Sequence, residues 1–141
     1  MDREQLKSVL PHREPMLLID EVALCGEVSV AKYTVRGDEF FLQGHFPGQP
    51  VVPGVILCEM MGQSTCLLFE ADKRGLIPYF AAMNHVRFKS KVVPGDTVVF
   101  KSRMVTQKNM IYVVKSAGYV GDALCVSGEL TFVLAEKDTA G

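Results

Sequence analysis

"PGVILCEMMGQSTCLLFEA", residues 53–71, is the longest stretch of the chain that reads as one helix. A proline suits the first turn, where its missing N–H is not needed, and Gly75 follows "EADKR" as a stop signal. The apolar side chains of Val55, Ile56, Leu57, Met60, Met61, Leu67, Leu68 and Phe69 cover almost the whole circumference instead of one stripe. Such a helix is wrapped by protein on most sides. One carboxylate, Glu59, sits in its second turn, and a buried acid costs free energy unless it is paired or kept neutral.

The material to wrap this helix lies on both sides of it. "LKSVL" (6–10) reads as a short amphipathic helical turn, "MLLIDEV" (16–22) as a short apolar strand and "VSVAKYTVR" (28–36) as another. Downstream, "AAMNHVRFKSKVV", "DTVVFKSRMVTQ", "NMIYVVKSAGYV" and "ALCVSGELTFVLA" are β-rich runs separated by "PGD", "KN" and "GD", which are hairpin turn signals. These runs predict an antiparallel meander curled around the helix, an α+β layer architecture in a single domain spanning residues 1–141. Only the tail "EKDTAG" reads as disordered.

Composition narrows the function classes. Fifteen basic and sixteen acidic side chains give a formal charge of -1, which argues against binding nucleic acid through overall positive charge. The opening "MDREQLKSVL" lacks the pattern of a secretory signal, and no segment is apolar for the ~20 residues that span a bilayer, so a soluble cytoplasmic protein is expected. Cys25, Cys58, Cys66 and Cys125 show no metal-binding spacing and read as buried, reduced thiols. No Walker loop, dinucleotide fingerprint or HExxH is present, so no metal and no cofactor is expected. Alternation on the first long strand puts His85, Arg87, Lys89 and Lys91 on one face, with Lys101 and Arg103 together on the next strand. A solvated sheet face and a docking ridge for an acidic partner both fit that pattern.

The chemistry-bearing residues cluster around the start of the helix. Burial disfavours the charged form of a carboxyl, so Glu59 is expected to hold a proton near neutrality and to donate it. Gln63, four residues on, shares its face and is placed to orient the carboxyl. His45 lies in the preceding loop "GHFPGQPVVPG", stiffened by Pro47, Pro50 and Pro53, where a neutral imidazole would be a base. An acid and a base presented to one apolar cavity suit the elimination of water. Gly54 and Val55 open the helix with N–H groups lacking intrahelical partners, at the positive end of its dipole, ready to stabilise an enolate-like charge on a thioester oxygen. Spacing alone is weak evidence for this chemistry, because a structural histidine and a solvent-facing glutamate would give the same letters.

"GHFPGQPVVPGVILCEMMGQ" (44–63) closely resembles the signature of the FabZ-type (3R)-hydroxyacyl-acyl-carrier-protein dehydratases, a His in GHFPxxPxxPG followed by a Glu in an ExxxQ helix. "LPHREPMLLIDEV" (10–22) is similar to the family's N-terminal block, and "VRFKSKVVPGDTV" (86–98) to its post-helix strand and turn. The three blocks occur in order and cover nearly the whole chain. The resemblance implies a hotdog fold, an antiparallel sheet wrapped around a long central helix. It implies dimers, often assembled into homohexamers, each site taking its His from one subunit and its Glu from the other. His45 would then be the base at C2 and Glu59 the acid toward the C3 hydroxyl, giving a trans-2-enoyl thioester. Gly54 would donate to the thioester carbonyl and Gln63 would partner the acid.

Tyr79 in "IPYFAAM" resembles the aromatic that gates the family's acyl tunnel, and a packed strand aromatic is the other reading. His12 matches a histidine of the N-terminal block and is expected to be structural or at a subunit contact, since nothing acidic is placed beside it. His85 departs from the acidic or amide residue the family would place there. The partner implied is an acidic acyl carrier protein, met by Arg87, Lys89, Lys101 and Arg103, with Met60, Met61, Phe80 and Met83 lining an apolar tunnel. The rivals are a dehydratase that also isomerises, a hotdog thioesterase and a non-catalytic carrier-binding subunit.

Overall fold

The computed structural model describes residues 1–43, 48–69 and 76–136, so His45 and the end of the predicted helix lie outside the described residues. The element order is α1 (Arg3–Leu6), β1 (Glu21–Cys25), β2 (Val28–Thr34), a 3-10 turn at Phe40–Leu42, α2 (Gly54–Ser64), a second 3-10 turn at Cys66–Leu68, β3 (Leu76–Phe88), β4 (Thr97–Lys108), β5 (Ile111–Val120) and β6 (Ala123–Glu136). Every strand pair is antiparallel, and the six strands form one sheet in the order β1-β2-β4-β5-β6-β3.

Period-two alternation sets the inner face. Ser29, Ala31 and Tyr33 on β2, Val98, Phe100 and Ser102 on β4, and Tyr112, Val114 and Ser116 on β5 are buried, while intervening residues such as Lys32, Lys101 and Lys115 are exposed. α2 packs against β2, β4, β5 and β6 from this inner side, so the sheet covers it as its all-round apolar character requires. Met60 and Met61 are fully buried. A chain of buried hydroxyls ties the helix end to the sheet: Ser29 Oγ donates to the Ser64 carbonyl at 2.7 Å, Ser64 Oγ lies 3.2 Å from Ser102 Oγ, and Ser102 Oγ 2.7 Å from Ser116 Oγ.

Three expectations change in detail. The regular helix covers 11 residues, because Ser64 Oγ and Thr65 Oγ1 donate to the carbonyls of Met61 and Gly62 and the chain tightens into the 3-10 turn. Met16 to Asp20 precedes β1 instead of forming a strand, since much of its polar backbone is taken by the side chains of Arg3 and Gln63. Only β4, β5 and β6 form a meander; β3 crosses over to pair with β6 at the sheet's edge. That edge position is why Pro78 is tolerated inside a strand.

β3 also breaks the parity expected of it. Its register slips between Phe80 and Ala82 and again between Asn84 and Arg87, and His85 in the second bulge has φ 54°. Lys89 and Lys91 lie past the strand end and flank the start of α2, whereas His85, Lys101 and Arg103 border a separate groove on the sheet with Lys115. The basic residues therefore do not form one ridge. Among the cysteines, Cys58, Cys66 and Cys125 are buried as expected and Cys25 is exposed.

Candidate active site

Gln63 is 1% exposed and uses its amide fully. Its Oε1 accepts from the Leu18 N–H at 2.8 Å, and its Nε2 donates to the Met16 carbonyl at 2.7 Å and to Glu59 Oε2 at 3.1 Å. The i, i+4 spacing brings the two side chains together, and the N-terminal segment fixes the amide's orientation. That segment is gripped from its other side by Arg3, which donates to the carbonyls of Leu17 (2.6 Å) and Ile19 (3.1 Å), to Asp20 Oδ1 (3.2 Å) and to Glu14 Oε2 (3.0 Å). The Glu14 carboxyl is held down at about 2 by its own backbone N–H and by hydrogen bonds from Arg3 and Lys7. A surface guanidinium thus reaches Glu59 through Leu17, Met16 and Gln63.

Glu59 keeps 27% of its side chain exposed and stands at a cavity of about 180 Å³. Leu10, Gly62, Phe69, Phe80 and Phe132 make its apolar wall, with Tyr79, which is 45% exposed, beside them. The Phe80 ring stacks on Phe132 at 4.7 Å and takes the space where a Cβ on Gly62 would lie, 2.5 Å from Phe80 Cζ. Met60 and Met61 are core residues, and the cavity borrows only Phe80 from the predicted tunnel set. Burial pushes the Cys58 thiol up, away from the thiolate a nucleophile needs.

His12 corrects the sequence reading. Its Nε2 lies 3.4 Å from Glu59 Oε2, so an acidic group is beside it after all, brought from 47 positions downstream by the fold. No local periodicity could have shown this, and the same holds for Arg3, whose role runs through backbone carbonyls. Gly54 and Val55 sit where expected, outside a helical ladder that begins with Ile56 and Leu57 N–H donating to the Pro53 carbonyl. They border a different depression, with Phe88, Lys89 and Lys91, and Val55 is 75% exposed. One chain therefore does not bring Gly54 and Glu59 to the same cavity. Among the described residues no three His, Cys, Asp or Glu side chains gather as a metal site.

A model of the FabA-like domain matches residues 10–129. The chain belongs to the FabA-like family. Within that family it is similar to "3-hydroxyacyl-[acyl-carrier-protein] dehydratase FabZ" of Clostridium kluyveri, 36% identical over 139 residues and covering 96% of each chain. The protein of the same name from Moorella thermoacetica is 37% identical over 141 residues, 97% of this chain and 99% of that one. The fold of this FabA-like protein is shared with a solved chain of the dehydratase heterocomplex ApeI:P of Xenorhabdus doucetiae, with TM-score 0.78, 19% identity and coverage of 94% of this chain and 91% of that one. These likenesses establish the hotdog fold and the FabZ type that the sequence blocks resemble.

Proposed function

We propose that this FabA-like protein removes water from (3R)-3-hydroxyacyl thioesters carried on acyl carrier protein, giving trans-2-enoyl thioesters for fatty acid synthesis. The observation that carries the reading is Glu59: a carboxyl fixed by a buried amide at the head of a small aromatic cavity. In the reaction His45 takes the C2 proton, Glu59 gives its proton to the C3 oxygen as the C–O bond breaks, and water leaves. The developing charge on the thioester oxygen is met by the Gly54 N–H at the start of α2, with Val55 beside it. Gln63 orients the acid, and Tyr79 flanks the entrance for the acyl chain.

The separation of Gly54 and Val55 from the Glu59 cavity supports a site completed by a second copy of the chain. β3 supports this too. It is a 13-residue edge strand whose Tyr79, Phe80, Met83 and Phe88 are all more than 40% exposed, a surface that invites pairing. A homodimer, assembling further into a homohexamer, accounts for both features. No helix among the described residues is long and apolar enough to cross a membrane, in keeping with a cytoplasmic enzyme working on a soluble carrier.

The experiment is product analysis on a 3-hydroxyacyl carrier substrate. His45→Ala and Glu59→Gln are each expected to lower turnover by roughly 10²- to 10⁴-fold without unfolding the protein, and mixing the two dead variants should restore part of it. Full activity in either single variant would refute the acid and base assignment.

A further inference from the structure

Within the Glu59 cavity, His12 is the titratable group in contact with the acid that the reaction above does not employ. Its Nε2 faces Glu59 Oε2 at 3.4 Å, and its Nδ1 is buried with no hydrogen-bond partner among the described residues. The backbone that carries it is pinned, because Arg13 Nη1 donates to the carbonyls of His12 (2.7 Å) and Leu10 (3.0 Å). Glu59 Oε2 already accepts from Gln63 Nε2. For Glu59 Oε1 no donor is found among the described residues.

These facts select one arrangement of hydrogens. A hydrogen on Nδ1 would leave a buried N–H without an acceptor and set the bare Nε2 against the lone pairs of Oε2, which is costly on both counts. A hydrogen on Nε2 makes the same 3.4 Å contact attractive, an N–H dipole near a carboxyl oxygen at a distance longer than the usual hydrogen bond. We infer that His12 is a positioning residue, held as the Nε2–H tautomer, which together with Gln63 occupies Glu59 Oε2 and so assigns the acidic proton to Oε1.

The consequence for the reaction, whose dehydratase reading this inference rests on, is directional. The Oε1–H bond breaks as the C3–O bond breaks, the C2 proton goes to His45, and that proton later returns to Glu59. His12 neither gains nor loses a proton in the cycle. It acts by holding one oxygen of the acid as acceptor so that the other faces the leaving hydroxyl. The other polar side chains at the cavity are Thr65, Cys66 and Tyr79.

Two measurements test this. At about pH 8, above the ordinary imidazole range, nitrogen-resolved NMR of the histidine rings should show His12 protonated on Nε2, and Glu59→Gln should move its ring signals while leaving those of His85 in place. In turnover assays His12→Phe should lower kcat roughly tenfold or more with KM changed by less than about threefold, while His12→Gln, whose amide still donates, recovers part of the loss. An Nδ1–H ring, ring signals indifferent to Glu59→Gln, or a His12→Gln variant no better than His12→Phe would each overturn the assignment. Wild-type protein inactive on hydroxyacyl substrates would overturn the dehydratase reading instead, and the NMR comparison would still decide the tautomer.

Discussion

Gln63 Nε2 is bonded at once to the Met16 carbonyl and to Glu59 Oε2, so the acid of the site and the N-terminal segment share one amide. Gln63→Leu keeps the volume and removes every polar atom. It leaves the buried Leu18 N–H without its acceptor, which costs about 1–3 kcal/mol. Denaturant unfolding should show that loss, and kcat should fall more than KM rises because the acid is no longer oriented. Unchanged stability would mean that another group serves Leu18.

Arg3 is the far end of the same chain of contacts, and it is pH-sensitive through Glu14. The Glu14 carboxyl is held below its ordinary value in the folded protein, so it favours the fold above pH 4.5, its unfolded value, and that contribution is lost as pH falls through about 2. Because this carboxylate lies at the surface, the effect is screened by salt. Between those pH values, the protection of the Leu18 amide against hydrogen exchange, taken relative to its intrinsic rate at each pH, should fall in wild type. In Arg3→Ala that protection should already be low at neutral pH, and a fully protected Leu18 amide in that variant would exclude the grip of Arg3 on this segment.

How far the sequence revealed this site depends on which contacts are local. The apolar circumference of α2 foretold the wrapping sheet, and the i, i+4 relation foretold the Glu59 and Gln63 pair, because both are fixed by helical geometry within a few residues. The β4–β6 turns were equally visible. What stayed hidden were particular contacts made across the fold: His12 beside Glu59, Arg3 on the Leu17 carbonyl, and β3 leaving the meander for the far side of β6. Alternation on β3 misled because two bulges reset it, and no side-chain pattern encodes a bulge. The premature end of α2 was legible in principle, since Ser64 and Thr65 are residues that compete for helix carbonyls.

Gly62 tests the cavity wall. A methyl at this position would meet Phe80 Cζ at 2.5 Å and Cε2 at 2.7 Å, and the ring, 41% exposed, is the part able to move. In Gly62→Ala the helix gains up to about 1 kcal/mol of propensity, which offsets some of the lost stacking on Phe132. The fold should therefore persist while turnover of longer acyl chains drops more than that of short ones. Adding Phe80→Ala should remove the clash, so the two substitutions should be clearly non-additive in a double-mutant cycle. Additive effects would show that Phe80 does not press on Gly62.

The β3 edge of the sheet is where a second copy of the chain would pair. Met83 is 48% exposed on β3, next to the first bulge, and the free side of that strand offers unpaired backbone to another chain. Met83→Glu places a charge where two copies would meet, and a buried unpaired carboxylate there is costly. Met83 pairs with Leu130 of β6 through its backbone, which the substitution leaves intact, so the folded monomer should survive. Size-exclusion chromatography with light scattering should then show a smaller species than wild type. If the site draws groups from two copies, turnover per chain should fall at low protein concentration and recover as concentration rises. A Met83→Glu protein that is monomeric at every concentration and fully active would place the whole site within one chain.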